Sequence, residues 1–372
     1  MGPETEIRAR FEGRDELDAR GGTIIPGFVD AHTHPIFAGT REDEFELRTR
    51  GATYLQIARA GGGILSSVRG VREASLEQLL DRFLVRLARF LDGGTTTIEA
   101  KSGYGLSAEE EGKCLEVIAH ARRMQPVEIV PTFLGAHGIP AEFLGDRAGY
   151  VDLVTEKMLP RVALEHLAEY CDVFLDSHAF GREESRRILV RAKELGLGIR
   201  LHADQLRSSG GAELAAELGA ASADHLEHAT SAGIEALARS GVVAVLCPLV
   251  PLYLRLLREA PARRMIEAGL ALAISTDFNP GSCYTQNMRE VFTFAALRYS
   301  MTAAECLTAA TLNAACSLGR GAEIGSLEPG KRADIVVLDH PNHKHLCYEF
   351  GRNAVTAVIS RGQVVRPTKV FG

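Results

Sequence analysis

The sequence has no pair of cysteines at CxxC spacing. Its seven cysteines, at positions 114, 171, 247, 283, 306, 316 and 347, are scattered and odd in number. That argues against cysteine ligation of a metal and reads as reduced, buried thiols. Nor is there an apolar run fit to cross a membrane: the longest, Val242 to Leu254, contains Pro248 and Pro251 and falls short of the roughly 20 residues a spanning helix needs. The charged opening MGPETEIRARFEGRDEL has no apolar h-region, so no secretory signal is expected and the cytoplasm is the expected compartment. An excess of positive charge is missing too. A formal charge of −6 argues against nucleic acid or an anionic membrane as partner and leaves a small molecule as the expected ligand. Internal repeats and low-complexity tracts are absent.

What is present is a chain of 372 residues, 46% hydrophobic and 24% charged, long enough for a large α/β barrel with an appendage. After Thr23, apolar β-rich runs alternate with helical periodicity, the pattern of βα units in a parallel sheet. The runs number eight: Ile24–Ala31, Thr95–Ala100, Val127–Leu134, Asp172–Ser177, Gly198–His202, Ser222–Leu226, Val242–Cys247 and Leu272–Thr276. Eight such units close a (β/α)8 TIM barrel, expected over residues 23–320. Ser75-Leu-Glu-Gln78 and Ser107-Ala-Glu-Glu110 read as capping boxes that open helices reaching Leu91 and about Met124. The segment Arg41 to Arg72, with Gly61-Gly62-Gly63, reads as a long connection, either a surface excursion or a cover for a site. Two helical stretches, 287–299 and 302–318, precede β segments beginning at Gly325 and Val355. These should form a small β-sandwich-like domain built from both chain ends, residues 1–22 and 321–372, with one N-terminal strand near Glu6–Phe11.

Thr23 to Gly39 runs an apolar strand into His32-Thr33-His34. Residues two apart in a strand project to the same face, so both imidazoles can meet one ion. Polar residues gather at the same end of other strands: Leu201-His202-Ala-Asp204-Gln205 after the fifth, Ala223-Asp224-His225 after the sixth, and Ser275-Thr276-Asp277-Phe278-Asn279 after the eighth. In such a barrel, function sits at the C-terminal ends of the strands. Three imidazoles and a carboxylate suit Zn2+ or iron with one position left for water.

These motifs, with GSLEPGKRADIVVLD near the C-terminus, resemble the metal-dependent amidohydrolase superfamily. Within it, VDAHTHPIFAGTRE, GGTTTIEAKSGYGL, PTFLGAH and TDFNPGS are similar to the imidazolonepropionase family of histidine degradation, from about Gly22 to Val365. That resemblance implies a TIM barrel with a small β-domain and a cytosolic, homodimeric enzyme. The enzyme would hydrolyse the cyclic amide of 4-imidazolone-5-propanoate to N-formimidoyl-L-glutamate. It implies one divalent ion per chain, Zn2+ or Fe2+/Fe3+, held by His32, His34, His202 and Asp277. Asp277 would also move the proton, and His225 would polarise the carbonyl. Arg41 would bind the propanoate, a guanidinium being suited to a carboxylate. Tyr54, Tyr104, His137, Gln205, Asn279, Gly281 and Ser282 would complete the substrate site.

Other hydrolases of the superfamily are the rival readings. A nucleobase-type deaminase usually relies on Glu three residues after the fifth-strand histidine, where this chain has Gln205, and an amide relays no proton. A dihydroorotase-type amidase would more often carboxylate a strand lysine to bridge two metals; Lys101 is expected instead to be structural or electrostatic. A non-catalytic barrel scaffold would have been free to lose these ligands. Glu227-His228 looks incidental, with His228 solvated or capping a helix.

Overall fold

The computed structural model describes residues 2–10, 16–53, 56–57, 60–176 and 179–367. Eight parallel strands follow one another around a barrel: β2 Phe28–Asp30, β3 Thr95–Lys101, β4 Glu128–Ala136, β5 Tyr170–Leu175, β6 Gly198–Ala203, β7 Ser222–His225, β8 Val243–Leu246 and β9 Leu272–Ile274. Each pairs in parallel with the next. The seam between β9 and β2 is closed differently. One parallel bridge joins Thr33 to Phe278, and the amide of His34 donates to the Phe278 carbonyl at 2.9 Å. Side chains supply the rest: Ala31 N–H donates to Ser275 Oγ at 3.0 Å, and Asp30 accepts from the amide and hydroxyl of Thr276 at 3.1 and 2.6 Å.

The smaller sheet is antiparallel, in the order β1 Thr23–Pro26, β10 Ile335–Leu338, β11 Val355–Ser360, β12 Gln363–Pro367. It is one four-stranded sheet. The expected first strand, Ile24–Ala31, is thus divided between two sheets. Thr23 pairs with Leu338 and Pro26 with Ile335, and the chain then turns into the barrel at Gly27. A Cβ there would lie 2.2 Å from Thr96 Oγ1, so the crossing needs glycine.

Three further expectations change. Glu6–Phe11 is not a strand: Glu4–Arg10 is an exposed helix, supported by a Glu4–Arg8 pair one turn apart at 2.8 Å; Phe11 lies outside the described residues. The segment 41–72 is not a bare connection. It holds helix Glu42–Thr49 and the start of helix Ile64–Glu73. The stretch 302–318 breaks into Ala303–Ala309 and Leu312–Ser317, at Thr311 with φ −130° and ψ −88°. The Ser75 capping box forms with both of its hydrogen bonds and opens Leu76–Asp92. Ser107 caps Ala108–Ala121, with one bond rather than the full box: its hydroxyl accepts from Glu110 N–H. Among the described residues, no helix is long and apolar enough to cross a membrane.

Candidate active site

His32 and His34 leave β2, His202 lies in β6 and Asp277 follows β9, and all four side chains are buried at one end of the barrel. Their inner atoms converge. His34 Nε2 is 3.3 Å from Nε2 of His32 and 3.3 Å from Nε2 of His202; Asp277 Oδ1 is 3.4 Å from His32 Nε2 and 3.3 Å from His34 Nε2. Ligands about 2.0–2.1 Å from a tetrahedral Zn2+ stand roughly 3.3–3.4 Å apart, so the spacing is that of a coordination shell.

The outer nitrogens explain why these atoms face inward. His32 Nδ1 meets Asp224 Oδ2 at 2.7 Å and His202 Nδ1 meets Asp172 Oδ2 at 2.9 Å. Asp224 accepts from Nδ1 of His32, and Asp172 faces Nδ1 of His202, an arrangement that favours the Nδ1–H tautomer and leaves the Nε2 lone pair directed into the site. Lone pairs 3.3 Å apart repel unless a cation lies between them, which is the strongest sign that these residues fit a metal. Burial drives His202 down to about 4 and His34 well below the usual imidazole value. At His32, burial and Lys101 oppose protonation, but Asp224 and Asp277 outweigh them and raise the pKa to about 9; a cation held between these residues would take the place of that proton.

Behind the ligands lies a buried charge network that the sequence reading did not foresee. Lys101 Nζ donates to Glu99 Oε1 and Asp172 Oδ2, each at 2.7 Å. Arg200 Nε lies 3.0 Å from Glu99 Oε1, and Arg200 Nη2 is 3.6 Å from Asp224 Oδ2. Burial works against the Lys101 charge, yet Asp172 and Glu99 raise its pKa above the usual value. A lysine held as ammonium has no free amine to carboxylate, in keeping with the electrostatic role expected for it. Asp204 caps the helix Gly211–Leu218 by accepting from Ser209, Gly210 and Ala212. His228 donates its amide to Asp204 O at 2.7 Å and is partly buried.

A cavity opens over His34, His202 and Asp277. Of the expected substrate residues, Arg41, Tyr104, His137, Gln205, Asn279, Gly281 and Ser282 line it, as does His225, expected to polarise the carbonyl; Tyr54 lies outside the described residues. Ile64, Phe174, Leu206 and Leu254 add an apolar wall that the sequence reading missed. Arg41 is buried and paired with Glu44, at 2.9 Å from Nε and 2.6 Å from Nη2. Its Nη1 lies against Gly281, where a Cβ would stand 2.1 Å away.

His137 Nδ1 is 2.9 Å from the Gly103 carbonyl, so it carries the proton and Nε2 is left as an acceptor. Burial, then the neighbouring His202, pushes its pKa down to about 3. The loop bearing Gly103 and Tyr104 is pinned by buried Glu111, which accepts from the amides of Gly103, Gly105 and Leu106 at 2.7–3.1 Å. Asn279 uses its whole amide inside its own loop. Oδ1 accepts from Gly281 and Ser282, and Nδ2 donates to Asp277 O and Ser282 Oγ. The Ser282 hydroxyl donates to Asp277 Oδ2 at 3.0 Å, which turns Oδ1 toward the histidines.

A separate group, His340, His345 and Glu349, lies beyond β10. Arg352 already supplies its cation, bonding to Glu349 and, at 2.6 Å, to Asp339.

Residues 23–365 match the model of the amidohydrolase family. The chain is 49% identical over 369 residues to a protein named imidazolonepropionase from Symbiobacterium thermophilum, covering 98% of this chain and 87% of that one. It is 50% identical over 366 residues to another so named from Solibacter usitatus, covering 98% and 88%. Among solved structures it is similar in fold to a 5-methylcytosine deaminase from Klebsiella pneumoniae, with a TM-score of 0.77 and 19% identity over 97% of this chain and 91% of that one. A zinc-bound adenosine deaminase from Xanthomonas campestris gives 0.73 and 23%, over 97% and 84%.

Proposed function

Because the chain belongs to the amidohydrolase family and, within it, to the imidazolonepropionases, we propose a division of labour among its own residues for the reaction of that family. The reaction is hydrolysis in histidine degradation: water adds to the ring carbonyl of 4-imidazolone-5-propanoate, the amide C–N bond breaks, and N-formimidoyl-L-glutamate leaves. His32, His34, His202 and Asp277 would hold one divalent ion, Zn2+ or Fe2+/Fe3+. When bound there, such an ion lowers the pKa of a coordinated water and polarises the carbonyl.

Asp277 accepts the proton of the attacking water at a carboxylate oxygen and returns it to the departing ring nitrogen. His225, whose ring is 5.0 Å from that of His32, donates from Nε2 to the carbonyl oxygen as negative charge develops. Arg41 receives the propanoate, with Glu44 holding its Nε–Nη2 edge and Nη1 set against Gly281. His137 accepts from a ring N–H of the substrate at Nε2, and Tyr104 and Gln205 flank the ring. Asn279 acts through the loop, presenting the Gly281 and Ser282 segment rather than bonding substrate, because its amide has no valence to spare. We propose further that the enzyme works as a homodimer in the cytoplasm.

The observation that carries this reading is a single cavity with a metal-ligand set at its floor and a buried arginine in its wall. Substrate made freshly with urocanase tests it by the loss of imidazolone absorbance. Metal-loaded protein should open the ring and leave nucleobases and dihydroorotate unchanged. Turnover of aminopurines or other cyclic amides in place of the imidazolone would refute the substrate.

A further inference from the structure

Glu227 stands two residues beyond His225 with a completely buried side chain. Neither of its carboxylate oxygens has a hydrogen-bond partner among the described residues, and nor has Nδ1 of His225. An unpaired carboxylate at that depth is costly, and native proteins rarely keep one without use. Arg258 does not neutralise it, since its guanidinium bonds to the Glu227 backbone carbonyl at 3.1 Å.

Two neighbouring histidines show what a buried carboxylate does in this site. Asp224 stands behind Nδ1 of His32 at 2.7 Å and Asp172 behind Nδ1 of His202 at 2.9 Å. Glu227 Oε1 stands 3.8 Å from Nδ1 of His225, the same relation at a looser distance, as active-site hydrogen bonds commonly are before substrate tightens them. The backbone is bent to make it so. His225 and Leu226 both have positive φ, 77° and 69°, a strained pair for residues with side chains. The Leu226 amide is tied to Ala203 O at 3.0 Å.

We propose that Glu227 is the positioning residue of His225. Its carboxylate accepts from Nδ1 of the doubly protonated imidazole and leaves the second proton, on Nε2, directed into the cavity, so it acts on the reaction only through the ring. The inference rests on the reading that His225 serves the carbonyl oxygen.

The test compares Glu227→Leu, Glu227→Gln, His225→Asn and the His225→Asn/Glu227→Leu double variant. It measures kcat and KM on 4-imidazolone-5-propanoate, together with metal content and Tm. In Glu227→Leu, kcat should fall roughly 10- to 100-fold, the loss typical of removing a carboxylate behind a site histidine. KM and metal content should stay unchanged, and Tm should change little, because the Glu227 side chain stands only loosely against His225 before substrate binds. Glu227→Gln should recover part of kcat, its amide oxygen still accepting from Nδ1. On the His225→Asn background the Leu substitution should cost nothing more. Unchanged kcat in Glu227→Leu, activity lost in step with metal or Tm, or full additivity in the double variant overturns the proposal. Full activity in His225→Asn would instead overturn the reading of the site, and the Glu227 assignment with it.

Discussion

Asp224 shows how much of a metal centre lies outside its ligands. It sets the tautomer of His32 while sharing the charge of Arg200, so Asp224→Asn should keep the fold of the strand and weaken metal binding by roughly 10- to 100-fold, read by competition against a chelator of known affinity. Arg41 carries a different burden. Arg41→Ala should raise KM by an amount worth about 2–5 kcal/mol, because the propanoate would enter a buried site without its cation. Arg41→Lys should recover only part, an ammonium lacking the planar fork; unchanged steady-state constants in both would place the anion elsewhere. His137 bears on pH. Its folded pKa of about 3 lies below the unfolded value of about 6.5, so the unfolded chain binds the extra proton and stability falls as pH drops through that interval. His137→Gln should flatten the acid limb of a Tm-against-pH curve, and an unaltered slope would exclude the effect. At this scale strand-end position gathers the four proposed ligands among other polar residues, and the family resemblance is what singles them out. Asp172, Glu99 and Arg200 were not legible, since each reads as an interruption of an apolar strand. The signal was charged or polar residues two apart, Glu99 with Lys101, Arg200 with His202, Ser222 with Asp224, which is the inward face of a barrel strand.

Elements place those residues by their loops. The Gly281 turn is pressed against the Arg41 guanidinium, so Gly281→Ala should push the cation aside and raise KM with little change in kcat; a variant with wild-type KM would show that the loop gives way. The KSGYG loop of β3 hangs from Glu111 in the following helix, a tie that its motif did not announce because the acceptor lies five to eight residues on. Helix starts with a polar cap were readable, as Ser75 shows. The long connection from Arg41 was misread because Glu42–Thr49 presents almost no apolar stripe: it buries only Glu44 and Arg48, and periodicity of apolar residues is the signal by which helices are found. The N-terminal helix failed for the same reason, burying nothing.

At the scale of the whole molecule, the eight βα units were legible because each barrel strand is buried on both faces and reads as a run. The smaller sheet was harder: its first strand is fused to a barrel strand through one glycine, and no composition change marks the crossing. The four proposed ligands come from the ends of β2, β6 and β9, so an ion bound among them should support the fold. Stripping the ion with a chelator should lower Tm, by an amount worth about 4 kcal/mol if the free metal had stood at a thousand times its dissociation constant. Equal Tm values with and without the ion would show that the ligand set is held by the barrel alone.

The seam between β9 and β2 has a consequence for how the enzyme matures. On the first side of that seam stand His32 and His34, on the other Asp277, residues near opposite ends of the barrel in sequence. A nascent chain still lacking its eighth barrel strand has neither the carboxylate nor the Phe278 carbonyl that receives His34, so it cannot hold the ion in the full shell. Metal uptake during refolding thus becomes a clock for barrel closure: loading of an optically active substitute such as Co2+ should lag the recovery of helical signal and coincide with the last folding phase.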